Sequence, residues 1–164
     1  MSIANIMLMF VVVVIVFIAL LVVIYKNFNG TLLNIKEKLD DAKNEFNVKC
    51  KDKHELVLKF IKNIETKYKI ESKSFEEVRN ISEEEMTSVD TENLLNKCYK
   101  ELLQIKEDNQ KTKELKMFRE IIDDFEDNEL HIISLRTFYN KYAVKFNNLI
   151  KKFPYNIVAK VAKY

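Results

Sequence analysis

The chain has 164 residues and a formal net charge of +2, from 27 basic and 25 acidic side chains, with one glycine, one proline and no tryptophan. Nucleophile elbows, P-loops and dinucleotide-binding turns are each built on glycines that this composition lacks, and the interleaved charges leave no nucleic-acid footprint. Abundant Lys, Glu, Leu, Ile and Asn with almost no turn residues predict an all-α fold.

Residues 2 to 25 carry no charged side chain, and every position from Ile6 to Ile24 is apolar. A helix of about 20 apolar residues matches the hydrocarbon thickness of a bilayer. Residues 1–5 are therefore expected to form a short tail and residues 6–25 a transmembrane helix in contact with lipid. At roughly −0.3 to −0.6 kcal/mol per Leu, Ile, Phe or Val, insertion is favoured by at most about 5 to 10 kcal/mol. A cleaved signal peptide is the weaker reading: no Lys or Arg precedes the run, the run is long, and IYKNFNG offers no small-residue cleavage site. Lys26, Lys36, Lys38 and Lys43 follow the run closely. This asymmetry predicts a single-pass protein of the cell membrane, with its N-terminus outside and the remainder in the cytoplasm. Two cysteines are compatible with that reducing compartment.

Residues 26–31, with Gly30 beside Asn27 and Asn29, are the expected hinge. About 140 residues follow the apolar run, enough for one domain with a core, here placed at 32–164. Its first long helix runs to Tyr68 on the stripe Leu32, Ile35, Leu39, Ala42, Phe46, then Val57, Ile61 and Ile64. Phe75, Val78 and Ile81 mark a short helix; Leu94, Leu95, Cys98, Leu102 and Ile105 mark another. The intervening SEEEMTSVDTEN reads as a loop with Asp90 or Thr91 as N-cap. Phe118, Phe125, Ile132, Tyr139, Phe146 and Phe153 then repeat every seven residues. They predict one helix of about 40 residues, supercoiled against its partners as in a coiled coil and ended by Pro154. The expected architecture is an elongated antiparallel bundle of three to four helices: the first leaves the membrane, two short ones return, and the last leaves again.

Cys50 and His54 share a helix face at i, i+4, and Cys98 with His131 would complete four metal ligands if the helices aligned. The plainer reading makes both cysteines apolar packers. A di-iron bundle needs Glu three residues before His, which neither histidine has. No catalytic residue and no cofactor is implied. Arg136, Asn140 and Asn147 lie beside the aromatic seam, where hydrogen bonds across helices would fix register. Residues 120–129 are acidic, whereas the basic segment 141–164 carries Lys151 and Lys152 with Asn156 nearby, a candidate surface for an acidic partner. In the expected path this basic end lies far from the membrane, which argues against lipid.

These residues resemble the LemA family of bacterial membrane-anchored helical proteins. The C-terminal signature of that family appears as Arg136, Phe138-Tyr139-Asn140, Phe146-Asn147, Ile150, Phe153-Pro154 and Asn156, with Ala159 following. Its first-helix pattern appears as Leu39-Asp40, Ala42, Phe46-Asn47-Val48, Lys51, His54-Glu55-Leu56-Val57 and Ile61. The chain departs from the family at Lys43, where Trp is usual, at Leu58, where Pro is usual, and around Asp108–Lys113, where a YPDLKA-like turn is missing. The resemblance implies an N-terminal anchor and an antiparallel helical domain without an established enzymatic activity. Some members are associated with membrane metalloprotease systems, an analogy only.

Together these readings predict a non-enzymatic binding or scaffold module, anchored in the bacterial membrane and engaging an unidentified membrane-associated protein. The alternative is a metal-dependent regulator or enzyme built on Cys50, His54, Cys98 and His131. The seven-residue seam would also serve a homo-oligomer.

Overall fold

A computed structural model describes residues 3–109 and 116–164, so the start of the N-terminal tail and the divergent turn at 110–113 lie outside the described residues. Five helices and no strand occur among them: α1 (Ile3–Tyr68), α2 (Lys73–Arg79), α3 (Val89–Asp108), α4 (Lys116–Leu149) and α5 (Tyr155–Ala162). The fold is all-α. The chain divides into two compact units, one of Met1–Asp41 with Tyr139–Tyr164 and one of Ala42–Phe138.

The second unit holds the larger core. Val57, Phe60, Ile61 and Ile64 of α1 meet Phe75 and Val78 of α2, Leu95, Cys98, Tyr99 and Leu102 of α3, and Phe118, Ile121 and Phe125 of α4. Each fully buried Val, Leu, Ile or Phe contributes about 1.5 to 3 kcal/mol through removal of apolar surface from water. Two serines start the shorter helices: Ser72 Oγ accepts from Ser74 N at 3.4 Å and Ser88 Oγ accepts from Thr91 N at 3.0 Å. Ser88, rather than Asp90 or Thr91, is thus the N-cap of α3; the hydroxyl reaches a free N–H of the first turn only from that position.

Cross-helix contacts fix the directions within this unit. Phe46 meets Arg136 and Phe60 meets Phe118, so α4 runs antiparallel to α1. Glu92 pairs with Arg136 and Tyr99 stacks on Phe125, so α3 is antiparallel to α4 and parallel to α1. The expected path is therefore corrected. α2, whose Val78 carbonyl meets His54, and the turns after it, with Glu83 paired to Lys51 at 3.1 Å, make the return; α3 leaves again, and it is α4 that runs back along α1.

In the first unit α1 continues without a break through residues 26–31, the expected hinge. A single glycine costs a helix only about 1 kcal/mol, and a Cβ at Gly30 would meet nothing within 4 Å. Leu32, Val158 and Ala159 are buried in a small cluster with Tyr25, Phe28, Phe146, Leu149, Ile150, Tyr155 and Tyr164. Pro154 does not end the helical chain: a turn follows α4, Pro154 caps α5, and its carbonyl accepts from Ile157 N at 3.1 Å. A proline at a helix start loses nothing, since the first-turn N–H groups lack intrahelical partners anyway. α5 closes with Lys163 in the left-handed region (φ 58°), and Tyr164 N donates to Ala159 O at 3.0 Å.

The seven-residue seam is buried at Phe118, Phe125 and Ile132 in the second unit. In the first unit Tyr139 is 40 % exposed and Phe153 79 % exposed. Phe146 packs in the small cluster and Phe153 lies beyond the end of α4, so the repeat does not form one continuous buried face.

Candidate functional site

The polar residues of the second unit converge where α1, α3 and α4 meet. Arg136 donates to both carboxylate oxygens of Glu92, at 3.0 and 2.6 Å, and its guanidinium lies 5.2 Å from the Phe46 ring centre. One side chain thereby joins three helices. The bond from Arg136, above all, holds the Glu92 carboxyl below its usual range. Lys53, 2 % exposed, bonds Glu129 at 2.5 Å and sits 5.3 Å from the Phe125 ring centre. Asn128 Nδ2 donates to the Lys49 carbonyl at 2.9 Å, while its buried Oδ1 has no protein partner. A cavity of about 10 Å³, lined among others by Cys50, Lys53, Glu92 and Arg136, has room for about one water.

The proposed metal ligands do not assemble. No group of three His, Cys, Asp or Glu side chains among the described residues is placed to hold a metal ion. Cys50 and Cys98 are buried and unpaired. Burial raises the Cys50 thiol and, as the main cause, pushes Cys98 up to about 11, so both are protonated near neutral pH. His54 Nε2 lies 2.8 Å from the Val78 carbonyl oxygen; since a carbonyl only accepts, Nε2 carries the proton and is unavailable to a metal. His131 is exposed, on an open groove of about 640 Å³ shared with Asp52, Glu55, Lys59, Asp124 and Asp127. Tyr99 is pushed up to about 12, mainly by burial.

The other sequence-identified residues lie in the first unit. Asn140 and Asn147 are exposed on α4, and neither bonds across to another helix among the described residues. Lys151 and Lys152 are exposed in the turn before α5. Asn156 Oδ1 accepts from Ile157 N at 2.9 Å in the first turn of α5. Among the register and partner candidates Arg136 is the one that joins helices through its side chain; its partner Glu92, and the nearby Lys53–Glu129 pair and Asn128, escape a reading by residue type. One signal was present: Lys53 falls on the helical stripe Phe46, Cys50, Val57, Phe60, a position that demands burial.

The LemA family profile matches residues 42–164, three quarters of the chain. The chain belongs to the LemA family. The LemA match takes in the whole second unit and the C-terminal part of the first. Of the two LemA departures outside the undescribed turn, Lys43 is exposed and Leu58 packs against the large core. Neither a search of curated proteins nor one of solved structures returned a match.

Proposed function

We propose that this LemA protein is a single-pass membrane protein whose helical domain acts as a non-enzymatic binding module on the cytoplasmic side of the bacterial membrane. The apolar run of α1 carries the reading. It is long enough to cross a membrane, and none of its most apolar window is buried by protein. Val14, at 39 %, is the least exposed of its large apolar residues. That surface needs a nonpolar surrounding, and hydrocarbon supplies it.

The binding role draws support from the open groove along α1 and α4 and, separately, from Leu130 and Ile133 elsewhere on α4, which are 65 % and 56 % exposed. Buried, protonated thiols and a histidine committed to a backbone carbonyl favour it over metal chemistry. Photocrosslinking from Leu130 and Ile133 in intact membranes, with mass spectrometry of the products, tests it. One recurrent membrane-associated neighbour is expected. Self-crosslinks alone would replace that reading with a homo-oligomer, and repeated capture of nothing specific would remove the binding role.

Orientation is tested with an impermeant thiol reagent on intact cells. Native Cys98 is fully buried and would stay silent on either side, so the reporter is Val89→Cys, at a position 70 % exposed. Protection from the reagent is expected for a cytoplasmic domain; labelling would reverse the topology.

A further inference from the structure

The basic end of the chain folds back beside α1 where the apolar run ends, in the same compact unit. Phe28 and Tyr155 meet edge to face with ring centres 4.7 Å apart, Tyr164 Oη donates to Asn29 Oδ1 at 3.3 Å, and Ile150 joins the cluster that contains Tyr25 and Phe28. Phe28 lies about 4.5 Å along the axis beyond Tyr25, at 1.5 Å per residue. The turn at 150–154 is therefore held at the level where the apolar run ends. This reverses the expectation that the basic end lies far from the membrane.

The turn joins an exposed aromatic ring, unusual for a surface facing only water, to a pair of lysines. Phe153 is 79 % exposed at its tip, and Lys151 and Lys152, also exposed, precede it. No acid occurs between residues 141 and 164. Beside the same level of α1, an open groove of about 400 Å³ is lined by Lys26, Lys38 and Lys145 with no acidic residue. Aromatic rings favour the boundary between headgroups and acyl chains, and lysines near a membrane surface are drawn to anionic lipid.

We propose that the 150–154 turn is a second membrane contact, in which Phe153 enters the headgroup–acyl boundary while Lys151 and Lys152 bind anionic phospholipid headgroups. The inference rests on residues 6–25 crossing the bilayer. It assigns the C-terminal segment to the lipid surface and makes the membrane-proximal unit a two-point mount.

Because the chain has no tryptophan, Phe153→Trp keeps an aromatic ring and supplies a sole indole reporter. The full-length protein is reconstituted into vesicles of phosphatidylcholine alone or with phosphatidylglycerol. In anionic vesicles the expected result is blue-shifted emission, strong quenching by lipids brominated near the headgroup, and acrylamide quenching about threefold weaker than in neutral vesicles. Adding Lys151→Gln and Lys152→Gln should abolish that difference. Water-like emission with equal acrylamide quenching in both vesicles would overturn the proposal, as would equal protection in both that survives loss of the lysines. Val13→Trp, in a separate chain, separates the two readings. Quenching of its indole by deep-brominated lipid with an aqueous Phe153→Trp defeats the second contact alone, whereas absence of deep quenching defeats the span and the contact together.

Discussion

In the second unit four helices hide Val57, Phe60, Ile64, Phe75, Leu102 and Phe118 completely, whereas in the first the buried hydrophobics among the described residues are Leu32, Ile35, Val158 and Ala159, and the run from Ile6 to Ile24 stays open. Both regions draw on the same helix, α1. Its charged half is amphipathic and finds partners in the chain. Its uncharged half is apolar all round, a pattern that no single packed face can satisfy. One unit thus carries most of the buried apolar surface and the other leaves a long apolar run open, so substitutions should behave differently in the two.

The largest effect is expected at Phe60, fully buried and in contact with the rings of Tyr99 and Phe118. Phe60→Ala should destabilise the second unit by about 3 to 5 kcal/mol, read by denaturant unfolding of the full chain in micelles. Val13→Ala should leave that transition within about 0.5 kcal/mol. An equal loss from both would erase the distinction between the units. Next comes the buried ion pair. Glu129→Ala strands the Lys53 ammonium at 2 % exposure and should cost about 3 kcal/mol. Replacing both partners, Lys53→Met with Glu129→Leu, should cost far less, since neither change then leaves a buried charge alone. A double variant as unstable as Glu129→Ala would show that the site depends on charge rather than on desolvation.

What the sequence made legible follows the same division. An uncharged run and the absence of turn residues decided the helical class and located the apolar half of α1, because both depend on composition alone. The stripe Val57, Ile61, Ile64 and the pair Phe75 and Val78 were read correctly as core, since one face of each helix must be covered. Direction was not legible. Whether α3 returns with α2 or leaves again depends on pairings such as Lys51 with Glu83 and Glu92 with Arg136, which periodicity does not encode. α5 was missed because Pro154 reads equally as a stop and as a start. Arg136 was singled out, but its partner Glu92 lies 44 residues away and is one of many exposed-looking acids.

Two smaller effects sharpen the comparison. Leu32→Ala removes the fully buried side chain of the first unit's cluster and should cost about 2 to 3 kcal/mol locally. Hydrogen exchange should quicken in α5 and stay unchanged in α3, and a uniform change would mean that the units unfold together. The smallest effect concerns Glu92 and Arg136. The Glu92 carboxyl is held low, first by its hydrogen bond from Arg136. Its contribution is therefore complete above the unfolded glutamate value, near about 4.3, and is lost as pH falls through the lower folded value. The pair is partly exposed, 44 % for Arg136 and 25 % for Glu92, so screening limits the contribution to about 1 kcal/mol. Glu92→Gln should lower stability by that amount at pH 7 and converge with the parent chain in strong acid. If the gap between the two persisted there, Glu92 would act through the geometry of its two hydrogen bonds from Arg136 and not through its charge.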